Sequence, residues 1–151
     1  MSEKDDIDLT SASVRTLYLI KSIEKSARVL LIQTLNEFRL TPGEYLIMNL
    51  ANRPNPLSSA QIARRTFSTP QATRVFINSL ESKKLIERFA DPDNKRILRI
   101  KLTAEGLNTL DACNKVIDEL EADYLRELDS EEVASLRKAL FKLQQSQRKK
   151  N

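Results

Sequence analysis

QIARRTFSTPQATRVFINSLESKKLIERFADPDNKRILRIKLTAEG, from Gln61 to Gly106, is the stretch whose reading decides the fold. Ser58 is placed to cap a short helix in which Ala60, Ile62 and Ala63 face inward while Arg64 and Arg65 face water. A second start signal follows closely. Ser68 and Gln71 have capping-box spacing, and Pro70 stands in the first turn, where a missing amide hydrogen costs nothing. The helix so launched should run from about Thr69 to Lys83. Ala72, Val75, Phe76 and Leu80 then form a buried stripe, leaving Thr69, Gln71, Thr73, Arg74, Ile77 and Asn78 on the solvent side. Two strands come next, Leu85 to Ala90 and Ile97 to Leu102, joined by the turn-rich tip Asp91-Pro92-Asp93-Asn94-Lys95-Arg96. In the second strand Arg99 and Lys101 alternate with apolar residues, so one face packs and the other stays basic.

Helix, turn, helix and charged hairpin in that order make a winged helix-turn-helix, in which the second helix enters the major groove of DNA. The residue types suit that task. Gln71 and Asn78 can read adenine, Arg74 can read guanine or hold phosphate, and Thr73 offers a hydroxyl and a methyl. Ser68 and Thr69 stand where the helix N-terminus offers amides to a phosphate. Lys83 and Lys84 after the helix, and Lys95 and Arg96 at the wing tip, complete the expected DNA-binding set. A polar helix face alone belongs to any soluble protein; the charge distribution adds weight. Arg64 to Lys101 carries ten Lys or Arg against four Asp or Glu, a balance of +6 in a chain of net charge +4, which leaves the remainder at −2.

Outward from this head, 151 residues suit one domain with a sizeable core. The start, MSEKDDIDLTSAS, is acidic and polar, and no apolar run reaches membrane-spanning length, so a cytoplasmic protein without a membrane partner is expected. The single Cys excludes an intrachain disulfide, and the absence of His removes the commonest transition-metal ligand, so no metal site is expected. With two Gly, no phosphate loop and no nucleophile–base pairing, neither an enzyme nor a bound cofactor is expected.

The flanks read as helices. Val14, Leu17, Tyr18, Ile23, Ala27, Leu30, Leu31, Thr34, Leu35 and Phe38 make one apolar stripe from Thr10 to Phe38. Thr41-Pro42 opens another helix through Tyr45, Leu46, Met48 and Leu50, closed by Arg53-Pro54-Asn55-Pro56. A long helix starts at Thr103 and reaches about Leu128, with Leu107, Leu110, Ile117, Leu120 and Tyr124 in its seam. Asp129 and Glu132 form a capping box for the last helix, through Val133, Leu136, Leu140 and Leu143. The expected organisation is a flexible segment (1–9), an N-terminal dimerisation helix (10–40), the DNA-binding lobe (41–102), C-terminal dimerisation helices (103–147) and a flexible tail (148–151). The fold class is mainly α with a small β-hairpin wing. Long helices at both ends exceed what the head can cover, and a second copy would place two reading helices roughly 34 to 36 Å apart on a pseudo-palindromic site.

LTPGEYLIMNLANR, SSAQIARRTFSTPQATRVFINSLESKKLIER and DPDNKRILRIKLTAEG, taken together, resemble the multiple antibiotic resistance regulator (MarR) family of bacterial winged-helix transcription factors. The most specific match is the wing signature, with Arg96, Leu102, Thr103 and Gly106 at the family's spacing. Two positions depart from it. Asn94 replaces the acidic residue that helps to hold the wing Arg, and Lys84 replaces the usual Gly after the recognition helix. The resemblance implies a homodimeric, sequence-specific regulator of double-stranded DNA, by default a repressor released by a small, often aromatic and anionic molecule. Arg15, Tyr18, Arg28, Phe38, Tyr45 and Met48 are the residues expected to line the effector cleft, a cation beside apolar walls suiting a carboxylate-bearing aromatic. Some relatives use a thiol, which makes Cys113 a candidate redox sensor, although its seam position between Leu110 and Ile117 favours inert packing. A winged head that binds another protein is the alternative; Arg74, Lys95 and Arg96 argue against it.

Overall fold

The computed structural model describes residues 15–66 and 68–148. The 1–9 segment, Thr10 to Val14 and tail residues 149–151 lie outside the described residues. Six helices and three strands are described: α1 (Thr16–Asn36), α2 (Pro42–Ala51), β1 (Leu57–Ser58), α3 (Ser59–Thr66), α4 (Pro70–Ser82), β2 (Ile86–Ala90), β3 (Leu98–Leu102), α5 (Ala104–Tyr124) and α6 (Ser130–Arg148). The chain divides into two compact units, Met1–Cys113 and Asn114–Asn151.

Local capping chemistry places most of the helices in the first unit. Thr41 and Glu44 form a reciprocal capping box that starts α2 with Pro42 at its first position. Ser58 and Gln61 do the same for α3, as the Ser58 assignment anticipates. The start of α4 differs from expectation. Thr69, not Ser68, is the cap; its hydroxyl accepts from Ala72 N–H at 3.1 Å, because Pro70 occupies the first helical position and fixes the cap one residue before it.

α1 and α4 end in the same way. Arg39 (φ 55°) and Lys84 (φ 59°) occupy the left-handed region. Leu40 N–H donates to Leu35 C=O at 3.1 Å, and Leu85 N–H to Leu80 C=O at 3.0 Å, each a Schellman closure with both leucines buried. At Lys84 the residue that replaces the family's Gly thus adopts the conformation that favours Gly.

The sheet has three strands rather than the expected two, in the order β1-β3-β2, all antiparallel. Ile86 pairs with Leu102 and Ala90 with Leu98, and β1 adds Leu57 opposite Ile100 on the far edge of β3. A two-residue strand is too short to show a period of two. Under the sheet, Ile47, Met48, Ile62, Ile77, Leu80, Ile86 and Ile100 are at most 2% exposed and form the core of this unit.

Both glycines are points of close approach. A Cβ on Gly43 would stand 2.7 Å from the Phe76 ring, and one on Gly106 would stand 1.9 Å from Leu85 O. Thr103 explains the second approach. Its hydroxyl donates to Lys84 O at 2.7 Å and accepts Gly106 N–H at 3.0 Å, so the first turn of α5 lies directly on the backbone that leaves α4.

In the second unit, Asp129 accepts Glu132 N–H and Glu132 accepts Asp129 N–H, both at 2.9 Å, which is the capping box expected for α6. Arg137 reaches back to Glu121 at 3.2 Å. An open groove of about 520 Å³ lies here, with Ala122, Leu125, Leu128 and Val133 among its walls.

The terminal helices bury little. Leu35 is the one buried side chain of α1, and no described residue of α6 is buried. Leu17, Tyr18 and Ile23 in α1, and Leu136, Leu140 and Leu143 in α6, are exposed. No helix of the described residues is long and apolar enough to cross a membrane.

Candidate nucleic-acid interface

α4 carries the candidate reading surface, but its rotation differs from the sequence expectation. Thr73 and Ile77, expected outside, are each 1% exposed, and Val75, expected inside, is 61% exposed. Ala72 and Phe76 are half-buried. Thr73 is therefore removed from the reading set; its Oγ1 is buried and has no hydrogen-bond partner among the described residues. Gln71, Arg74 and Asn78 are exposed as expected, and with Val75 they fall at i, i+3, i+4 and i+7, one continuous face. Thr69 caps this helix at an exposed position, and Ser68, half-buried, precedes it.

The two lysines after α4 separate in role. Lys83 Nζ donates to Glu44 Oε1 at 2.7 Å and to Arg39 O at 2.8 Å, tying the end of α4 to the α1–α2 junction. Ser79 Oγ donates to the same carboxylate at 2.6 Å. Burial raises the Glu44 pKa, but the hydrogen bonds from Lys83, Ser79 and Thr41 together outweigh it and hold the group below its ordinary value. Lys83 is thus committed to the fold, a correction to its expected place among phosphate contacts. Lys84 is exposed at its left-handed position.

The wing is braced by a residue the sequence reading passed over. Asp91, 3% exposed, accepts Asp93 N–H at 2.8 Å and Asn94 N–H at 3.0 Å, and pairs with Arg99. Arg99 also donates to Pro56 O at 2.7 Å. The Arg99 guanidinium, and then the turn amides, keep the Asp91 carboxyl below its usual range. Arg99 therefore holds the wing base and does not extend a basic face. Asn94 Oδ1 accepts the Arg96 backbone N–H at 3.1 Å, so the amide at the signature's acidic position orders the tip through main chain. Lys95 and Arg96 stand exposed at that tip. Four cations of the segment, Lys83, Arg88, Arg99 and Lys101, pair with Glu44, Glu81, Asp91 and Glu87, whereas Arg74, Lys84, Lys95 and Arg96 present their charge at the surface.

The expected effector residues differ in burial. Met48 is fully buried in the core and is withdrawn as a cleft residue. Arg28 pairs with Glu24 at 3.1 Å on the exposed face of α1. Tyr18 is exposed on that helix and Arg15 just before it, and Phe38 and Tyr45 are half-buried. None of the six lines the groove between α5 and α6. Cys113 is fully buried, and burial raises its thiol pKa, which opposes the exposed thiolate a redox sensor needs.

A short helix, an exposed second helix and a braced, cationic wing define a winged helix-turn-helix. A family model described as the MarR family matches residues 45–97. The chain is 24% identical over 138 residues to the uncharacterized HTH-type transcriptional regulator YsmB of Bacillus subtilis, covering 87% of this chain and 94% of that protein. It is 27% identical to the HTH-type transcriptional repressor Rv2887 of Mycobacterium tuberculosis, over 83% and 91% of the two chains. Its fold matches the S. aureus MepR–DNA complex with a TM-score of 0.76 at 27% identity, covering 90% and 99% of the two chains. By these measures the chain is similar to MarR-family transcriptional regulators over most of its length, and to the family model over its winged head.

Proposed function

We propose that this protein is a sequence-specific repressor that binds a pseudo-palindromic DNA site as a homodimer. One observation carries the reading: the exposed α4 face of Gln71, Arg74, Val75 and Asn78 lies in the same unit as a wing whose tip cations, Lys95 and Arg96, are exposed. Such a surface combines base-edge chemistry with phosphate attraction. The named repressor Rv2887 and the DNA-bound MepR structure support it by similarity.

The exposed apolar side chains of α1 and α6 support the homodimer, because isolated stripes of this size need a covering surface. Leu140→Glu should convert dimers to monomers or aggregates in light scattering while leaving the core of the head unchanged. A wild-type chain that stayed monomeric at micromolar concentration and still bound DNA tightly would refute the dimer. Selection of bound duplexes from a random pool tests the DNA reading itself. An enriched two-fold related sequence, with affinity falling steeply as salt rises, is the expected result. Failure to enrich any sequence would overturn the proposal.

A further inference from the structure

Asn78 is exposed on α4, but its amide is not free to present both of its groups. Arg88, on β2, donates from Nη2 to Asn78 Oδ1, and the same Nη2 is paired with Glu81 Oε2 at 3.0 Å. A guanidinium has donors only, so the amide oxygen must be the atom that faces it. The amide atom left without that partner is Nδ2, a donor. Adenine's major-groove edge asks for a donor and an acceptor together, and an amide oxygen turned toward a guanidinium has only its second lone pair left for adenine's amino group, which disfavours that pairing. The acceptor edges of thymine and guanine fit instead.

Val75 separates those two. It stands three residues before Asn78 on the same helix face, 61% exposed, the single apolar member of a stripe otherwise made of Gln71, Arg74 and Asn78. Lone exposed apolar residues are common on protein surfaces. This one lies in the middle of the face that the proposed function turns toward DNA, among cations that suit phosphates. In the major groove thymine alone among the four bases presents a methyl group, beside its O4 acceptor.

We propose that Val75 and Asn78 together read thymine, Val75 against the 5-methyl group and Asn78 Nδ2 donating to O4, with Arg88 as the positioning residue that turns the amide. This rests on the DNA-reading function proposed above and specifies the base it recognises.

The test uses the full-length chain and the duplex recovered by random-pool selection. Each thymine of that site is replaced in turn by deoxyuridine, which lacks only the methyl, or by 5-methylcytosine paired with guanine, which keeps the methyl but exchanges the O4 acceptor for an amino donor. Wild-type protein should lose about three- to five-fold in affinity with deoxyuridine at one position of each half-site. It should lose about tenfold with 5-methylcytosine at the same or the adjacent position. Val75→Ala, an exposed substitution, should bind the thymine and deoxyuridine sites equally. Asn78→Ala should lose the discrimination against 5-methylcytosine. Arg88→Lys, which still offers a donor to Oδ1, should keep that discrimination, and Arg88→Met should lose it while accepting adenine there. Deoxyuridine sensitivity that persists in Val75→Ala, 5-methylcytosine discrimination that persists in Asn78→Ala, or a selected site with no thymine sensitive to either change would overturn the inference while leaving DNA binding intact. A pool that yields no enriched site would remove the function on which it rests.

Discussion

The winged head and the terminal helices treat their side chains in opposite ways. In the head, the two buried carboxylates are each met by three donors: Glu44 by Thr41, Ser79 and Lys83, and Asp91 by Asp93, Asn94 and Arg99. Its glycines stand at close approaches, Gly43 to the Phe76 ring and Gly106 to the Leu85 backbone. α1 and α6 instead expose Leu17 at 80% and Phe141 at 60%, with few internal partners. The head meets its buried carboxylates with donors of its own chain, whereas the terminal helices leave apolar side chains exposed, as the proposed homodimer requires. The distinction predicts where substitutions should act on stability and where they should act on binding.

The largest stability effect should come from Gly106→Ala. In an ordinary helix that change is favourable by up to about 1 kcal/mol, but here the added Cβ meets Leu85 O at 1.9 Å. A loss of about 3 kcal/mol or more in urea unfolding is expected, or failure to fold. A neutral result would mean that α5 does not rest on the end of α4.

Glu44→Ala should follow, at about 2 to 3 kcal/mol, because it strands Ser79 and Lys83; Lys83 is partly exposed and can recover some hydration. Since the folded-state pKa of Glu44 is depressed, its contribution is fully present above its ordinary value of 4.5 and is lost as pH falls through the lower folded value. The stability gap between wild type and Glu44→Ala should therefore narrow in acid. A gap independent of pH would show that the carboxylate charge contributes nothing.

At the surface the readout changes. Arg96→Ala should leave the unfolding midpoint in place, weaken DNA binding by about 1 to 3 kcal/mol and reduce the salt slope by about one unit. Titrations at several salt concentrations distinguish this from a folding defect. Smallest of all, Lys84→Gly should stabilise the protein by roughly 0.5 to 1 kcal/mol, by relieving the left-handed backbone at φ 59°. A destabilised Lys84→Gly variant would show that the lysine side chain contributes more than its backbone conformation costs.

Much of this architecture was legible because it is written in local spacing. Ser58, Thr41-Pro42 and Asp129–Glu132 mark helix starts that the structure keeps. The order of helix, helix and hairpin also follows from the sequence. The rotation of α4 was not legible in the same way. Ala72, Val75, Phe76 and Leu80 satisfy helical periodicity, but so do Thr73, Ile77 and Leu80, and the two sets differ by about one residue, or 100°. The choice depends on neighbours distant in sequence, and it buries a Thr hydroxyl that has no partner among the described residues, which hydropathy argues against. The braces were hidden for a related reason. Glu44 and Lys83 are 39 residues apart, and Asp91 reaches past the expected Asn94–Arg96 pair to Arg99. Four of the cations counted as a basic surface turned out to hold acidic partners, a fact that net charge does not reveal.

Hydroxyl-radical footprinting on the selected duplex, with the protein-to-DNA stoichiometry measured on the same sample, tests the central claim that a self-sufficient reading head is paired through incomplete terminal helices. The account predicts two copies per site and two protected patches related by a two-fold axis, centred about one helical turn apart, roughly 34 to 36 Å. A single protected patch with one copy bound, or no protection at all, would contradict it.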